Sequence, residues 1–322
     1  MRRKTLVVAM LLLFALIPMT AATAAPPEPD WYIDEATLPF DALPGFEGTE
    51  RIWGVHYDAG YRIEVPANWN GTLVMWAHGY RGEGTELTVD NHPLREFLIP
   101  NGYAWAASSY SANSYNPGVG VRDTHRLVQL FDEIVGSPST TYITGASMGG
   151  HVTARSVEQA NHPYDGAMPI CGVVGDYELF DYFLDFNLAS QQIALGASAY
   201  PVADDALYIG VQVPQIKAAL EGVPGAWPFV LNADGEAFKQ LVELRSGGDR
   251  PNFDEAFAFW NSIPASTGAG NFLFELGVGN GKVIGAPGIV PDNTDTVYQL
   301  DLVPGLSPEE LALNEEIARV DG

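Results

Sequence analysis

From residue 51 to about residue 172 the chain alternates short apolar or β-branched runs with amphipathic stretches. Arg51 to Val65 reads as two antiparallel strands turning at Asp58-Ala59-Gly60. Gly71-Thr72-Leu73-Val74-Met75-Trp76-Ala77 is almost continuously apolar and predicts a central strand. A helix is expected around Leu94 to Ile99, followed by a strand over Tyr103 to Ser108 and a polar loop over Tyr110 to Gly120. Arg122 to Val135 then places Leu127, Leu130, Phe131 and Ile134 at helical spacing. Thr140 to Thr144 is a β-branched and aromatic strand, Met148 to Arg155 reads as a helix start, and Ala167 to Gly172 is strand-like again. Strands and helices in alternation imply an α/β fold, a mostly parallel sheet with helices on both faces.

The rhythm changes after Gly175. Residues 176–264 show no strand–helix alternation and carry aromatic-rich helical segments: Tyr177 to Phe183, Ile216 to Leu220, Ala237 to Leu244 and Phe253 to Trp260. Their placement after the strand that follows Ser147 predicts a helical lid insertion, with most of the aromatic rings serving as packing. Residues 265–322 are expected to return in part to the core. Ser307-Pro308-Glu309-Glu310 opens a capped helix carrying Leu311, Leu313, Ile317 and Val320.

The other end has its own signature. Arg2-Arg3-Lys4 precedes an uncharged apolar run from Leu6 to Pro18, and Ala22-Thr23-Ala24 offers a cleavage site. Residues 1–24 are therefore expected to be an export signal, too short in their apolar part for a stable membrane span. Residues 25–47, beginning with Pro26-Pro27-Glu28-Pro29, are expected to be an N-terminal linker. The expected location is secreted or periplasmic.

Charge narrows the choice of partners. The signal holds three of the 16 basic residues and none of the 40 acidic ones, which leaves an acidic excess of 27 on the remainder. Such a surface argues against nucleic acid, whose binding rests on neutralising phosphates. Cys171 is the single cysteine, so there is no disulfide framework, and its apolar neighbours predict a buried, inert thiol. Gly277-Val278-Gly279-Asn280-Gly281-Lys282 has the wrong spacing for a phosphate loop, with Val283 where Ser or Thr belongs. Asp292, Asn293 and Asp295 do not fit a calcium loop and read as acidic surface. Asn70-Gly71-Thr72 reads as a turn rather than a glycosylation site. No cofactor or metal is called for.

The chemistry concentrates at Gly145-Ala146-Ser147-Met148-Gly149, a Gly-x-Ser-x-Gly pentad between a strand and a helix. A Gly-rich strand-to-helix turn is the alternative. The upstream strand ending in His78-Gly79-Tyr80 decides for a nucleophile elbow, because the second half of an oxyanion hole belongs there. Ser147 is the candidate catalytic nucleophile, and the backbone N–H groups of Tyr80 and Met148 are the candidate oxyanion donors. A hydroxyl of ordinary pKa also needs a histidine base and an orienting carboxylate. Of His56, His78, His92, His125, His151 and His162, the last two alone follow Ser147. His151 lies one helical turn on and is read as packing or capping; His162 ends the same helix; His78 is read as fixing the oxyanion loop.

Residues 72–171 resemble secreted α/β-hydrolases of the esterase and prolyl-oligopeptidase-like kind. The matching pieces are Trp76-Ala77-His78-Gly79-Tyr80, Gly102 to Tyr110 and Thr144 to His151. The resemblance implies an α/β-hydrolase core over residues 48–175, with Ser147 as nucleophile and Tyr80 and Met148 as oxyanion donors. The family's acid and histidine, on loops after the last strands, have no match here. The expectation is a secreted serine hydrolase that cleaves small-molecule or polymeric carboxylic esters through an acyl-enzyme. A serine peptidase of the prolyl-oligopeptidase type and a non-catalytic hydrolase-like binding protein are the alternatives. A further expectation is that the chain lacks the C-terminal strands of its enzyme and exposes an apolar sheet edge.

Overall fold

The computed structural model describes residues 30–175, 178–223, 230–262, 274 and 290–322. The expected export signal, Tyr177 and the Gly277 to Lys282 run lie outside the described residues.

Six strands form one sheet: β1 (Glu50–His56), β2 (Ala59–Val65), β3 (Thr72–Ala77), β4 (Ala104–Ser108), β5 (Thr140–Ala146) and β6 (Gly166–Ile170). Their order across the sheet is β1-β2-β4-β3-β5-β6. β2 runs antiparallel to β1 and β4, while β4, β3, β5 and β6 run parallel. The two strands that follow β3 in the chain, β4 and β5, lie on opposite sides of it in the sheet. Its C-terminal end, beside that of β5, is therefore a switch point, where crevices form in open α/β sheets. This strand order, with helices on both faces of the sheet, makes the fold an α/β-hydrolase fold.

Local chemistry moves two expected boundaries. The β1–β2 turn sits at Tyr57-Asp58, both at positive φ (48° and 62°), and Ala59 and Gly60 already pair with His56 and Val55. A two-residue turn with both residues left-handed matches the strand twist, so the hairpin closes two residues earlier than expected. Helix α1 is the single turn Arg95–Leu98, and α2 spans Pro117–Ile134. α2 starts five residues before Arg122 because the Asn116 side chain accepts the Val119 N–H and Pro117 opens the first turn. Helix α3 is Met148–Val157.

Both sheet faces are packed. On one, Ile63, Leu73, Met75, Ala106 and Ile143 meet Leu127, Val128 and Phe131 of α2, whereas Ile134 stays exposed. On the other, Val74, Trp105 and Ala107 meet Leu98, Ile99 and the N-terminal residues Leu38 and Phe40. Each fully buried Val, Leu, Ile, Met or Phe among them contributes about 1.5–3 kcal/mol. Packing thins towards β6. Tyr142, Met168 and Ile170 are exposed, and an apolar depression of about 330 Å³ opens between Val74, Tyr142, Thr144 and Met168. Among the described residues nothing pairs with the outer edge of β6.

The rest is helical: α4 (Glu178–Leu195), α5 (Asp205–Leu207) continuing through Tyr208–Gln212 into α6 (Val213–Leu220), α7 (Ala233–Arg245), α8 (Phe253–Ser262) and α9 (Pro308–Glu316). α4 is the hub, buried on all sides from Leu184 to Gln192. Its Asp185 is fully buried and accepts bonds from Arg245 of α7 and from the Tyr298 hydroxyl. Residues 290–322 do not return to the sheet. Tyr298, Leu313, Ile317 and Val320 bury themselves in this helical cluster instead. The Ser307–Glu310 capping box forms, but α9 stops at Glu316, so a non-helical tail delivers Ile317 and Val320, and Leu311 faces solvent. Asn293 is no surface residue either: it is buried, donating to Tyr298 and Ala318 and accepting the Val320 N–H.

Candidate active site

Ser147 joins β5 to α3 with φ 57° and ψ −123°, a conformation that costs an L-residue on the order of 1–3 kcal/mol. Its neighbours show how the turn is held. A Cβ on Gly145 would lie 2.3 Å from the Gly149 carbonyl oxygen, and one on Gly149 would lie 2.0 Å from the Ala77 carbonyl oxygen. Only glycine lets β3, β5 and α3 approach this closely. The Ser147 N–H donates to the Ile170 carbonyl at 3.0 Å, which ties the elbow to the end of β6. The serine side chain is half-buried.

The His78-Gly79-Tyr80 segment lies against the elbow. A Cβ built on Gly79 would fall 3.4 Å from Ser147 Cβ and 3.9 Å from its Oγ. Met148 is the first residue of α3, where N–H groups have no partner within the helix. Neither the Met148 nor the Tyr80 N–H has an acceptor among the described residues. The Tyr80 side chain turns outward, donating its hydroxyl to Glu83 at 2.7 Å.

His78 is buried, with Nδ1 2.7 Å from the Gly79 carbonyl and Nε2 2.9 Å from the Ser109 carbonyl. Its ring stacks on Tyr110 at 3.9 Å, and the Tyr110 hydroxyl donates to the His78 carbonyl. Burial first, and then the Arg81 charge, push its pKa down to about 4 against the pull of the two carbonyls. It is neutral near pH 7, so its single ring N–H donates to one of these two carbonyls.

No hydrogen bond joins the Ser147 hydroxyl to another described residue. His151 has its Nδ1 2.8 Å from the Tyr115 hydroxyl, and its backbone N–H donates to the Ser147 carbonyl. Phe180 of α4 meets the Tyr115 ring edge-on at 5.7 Å, which brings the helical part of the chain to within one residue of His151. His92 lies under the sheet, accepting the Leu94 N–H and donating to Thr144; His162 accepts the Tyr164 N–H. Cys171 corrects an expectation: it is exposed, at φ 47°, because β6 ends at Ile170 on the sheet edge.

Tyr115, Arg81 and Asn113 shape this region and were not singled out from the sequence. Tyr115 and Asn113 sit in the Ser/Asn/Tyr/Gly loop, whose composition signals irregular backbone and nothing about direction.

No protein-family model matches the chain. An o-phthalyl amidase of Xanthobacter agilis is 26% identical over 147 residues, which are 44% of this chain and 31% of the amidase. The chain thus matches less than a third of that relative's length. Among solved structures, prolyl oligopeptidase B from Galerina marginata overlaps 42% of this chain and 22% of its own, with 15% identity and a TM-score of 0.32. Acetyl xylan esterase from Aspergillus awamori overlaps 39% of this chain and 52% of its own, with 17% identity and a TM-score of 0.31.

Proposed function

We propose that this chain carries the nucleophile of a serine hydrolase acting on carboxylic esters. The observation that carries the reading is the strained Ser147 elbow beside two N–H groups, of Tyr80 and Met148, that are without acceptors among the described residues. In this reading Ser147 Oγ attacks the ester carbonyl carbon and its proton passes to a base. The carbonyl oxygen becomes an oxyanion, held by the two N–H groups, and the alcohol leaves to give an acyl-enzyme that water cleaves. One such donor is worth on the order of 3 kcal/mol in the transition state. Helices α4 to α8 serve as the lid, with Phe180 as their foothold next to the elbow. Arg2-Arg3-Lys4 and the apolar run behind it support export, and among the described residues no helix is long and apolar enough to cross a membrane.

Amide cleavage is a second reading, favoured by the partial match to an amidase. A p-nitrophenyl ester and the p-nitroanilide of the same acyl group separate the two. A fluorophosphonate probe tests the premise of both. It should label the protein at Ser147, and Ser147→Ala should abolish turnover and labelling while leaving the melting temperature unchanged. Turnover at wild-type level in Ser147→Ala removes Ser147 from the mechanism.

A further inference from the structure

Arg81 follows directly on Tyr80, and its guanidinium turns inward instead of reaching solvent: the side chain is only 16% exposed. Nη1 donates to the Thr88 carbonyl and, at 2.7 Å, to the Thr88 hydroxyl, while Nη2 donates to the Asp90 carboxylate. One planar group therefore closes residues 81–90 into a ring. The same loop is held from the protein body. Asn113 Nδ2 donates to the carbonyls of Gly84 and Glu86 at 2.7 and 2.8 Å, and the Ser114 N–H donates to Gly82 at 2.9 Å.

Three consecutive residues thus have three situations. Gly79 lies against Ser147, Tyr80 offers an N–H without an acceptor among the described residues, and Arg81 is the anchor. His78 grips the Gly79 end of this segment. Beyond Arg81 itself, the grips on the far side among the described residues are the Tyr80–Glu83 contact at the surface, the Ser114 N–H on Gly82, and Asn113 further along at Gly84 and Glu86. Resting on the reading of Tyr80 N–H as an oxyanion donor, we propose that Arg81 is a positioning residue. It fixes the far side of the Tyr80 peptide, and so the distance of that N–H from Ser147, without touching substrate. The fork geometry explains the residue type: an arginine reaches Thr88 and Asp90 at once, and a lysine reaches one of them.

The test uses the full-length protein with Arg81→Gln, Arg81→Lys, Asp90→Asn and Ser147→Ala. Four quantities are measured: kcat and KM on a p-nitrophenyl ester, the inhibition constant of phenylboronic acid, and the melting temperature. The boronic acid forms a tetrahedral adduct on a serine, one oxygen of which takes the oxyanion's place. A displaced donor should lower kcat about 30- to 100-fold in Arg81→Gln, with KM moving less than about 2-fold. Phenylboronic acid should weaken in proportion, and Arg81→Lys should recover part of both losses. A plain structural brace would lower the melting temperature or the active fraction and leave the inhibition constant of the folded protein as it was. That result, or an unchanged kcat in folded Arg81→Gln, overturns the proposal. Should Arg81→Gln not fold, Asp90→Asn decides, since that carboxylate is 67% exposed and its loss spares the core. Its kcat and boronate affinity should then fall together by about 5-fold, and no parallel fall overturns the proposal. Activity surviving in Ser147→Ala is the separate result that removes the premise.

Discussion

His78 Nδ1 lies 2.7 Å from the carbonyl oxygen of Gly79, and the peptide group that carries this oxygen also carries the Tyr80 N–H. A trans peptide is planar, and its C=O and N–H point in opposite directions. An imidazole that holds the oxygen therefore aims the hydrogen to the other side. The ring is buried and held flat against Tyr110. A histidine at this position needs no proton-transfer role to matter for an oxyanion.

His78→Ala should leave the fold intact enough to purify and lower kcat on an ester by about 10- to 100-fold, with little change in KM. Steady-state kinetics beside a circular-dichroism check reads this. A variant whose KM rises while kcat holds would show that His78 supports substrate binding and not the donor.

Acid should destabilise the protein through two histidines. Burial pushes His78 and His92 from the ordinary 6.5 down to about 4. Below about pH 6.5 the unfolded chain takes up protons that the folded chain refuses until about pH 4. Stability is therefore full above the window and falls as pH drops through it. Each histidine accounts for on the order of 3 kcal/mol across the window. Urea unfolding at about pH 7, 5.5 and 4.5 should show the decline, and His92→Gln should remove about half of it. A flat profile would mean that these two rings are solvated.

How much of this was legible in the sequence depends on range. The elbow is a five-residue pattern whose backbone demands are local, so the pentad placed Ser147 between a strand and a helix correctly. The mostly parallel sheet followed from the same alternation, whereas the order of its strands depends on long-range pairing that no local pattern carries. The β1–β2 turn was misplaced because Tyr57 and Asp58 are not the glycines that usually signal a left-handed pair. Asp185 and Arg245 lie 60 residues apart. Hydropathy assigns both to the surface, and no pattern announces that they meet at the centre of the helical cluster. The cap of α9 was readable, since Ser307 and Glu310 are neighbours, but what α9 packs against was not. Cys171 misled for a related reason: apolar neighbours predict burial only where a further layer covers the strand.

The elbow glycines should be intolerant for steric reasons that a loop glycine does not share. Gly149→Ala drives a Cβ to 2.0 Å from the Ala77 carbonyl, a backbone atom that cannot move aside, whereas nothing lies within 4 Å of a Cβ on Gly84. Gly149→Ala should cost about 3 kcal/mol or more and abolish probe labelling at Ser147. Gly84→Ala should change stability by less than about 0.5 kcal/mol. Comparable melting temperatures for the two variants would place the elbow backbone elsewhere.

The lid reading makes its own prediction at Phe180. This ring meets Tyr115 edge-on, and Tyr115 in turn holds His151, one helical turn beyond Ser147. A lid that selects substrates should work through this foothold. Deleting residues 176–264 would be a poor test, because Tyr298, Leu313, Ile317 and Val320 are buried in one cluster with residues of α4 to α8 and would be left exposed. Truncating one ring avoids that. An aromatic contact of this kind is worth about 0.5–1.5 kcal/mol, so Phe180→Ala should fold. Its kcat/KM should shift by about 3- to 10-fold between short and long acyl p-nitrophenyl esters, with the same acyl-enzyme chemistry and unchanged probe labelling. An identical chain-length profile for the variant and the parent would leave α4 as packing alone, with no part in choosing what reaches Ser147.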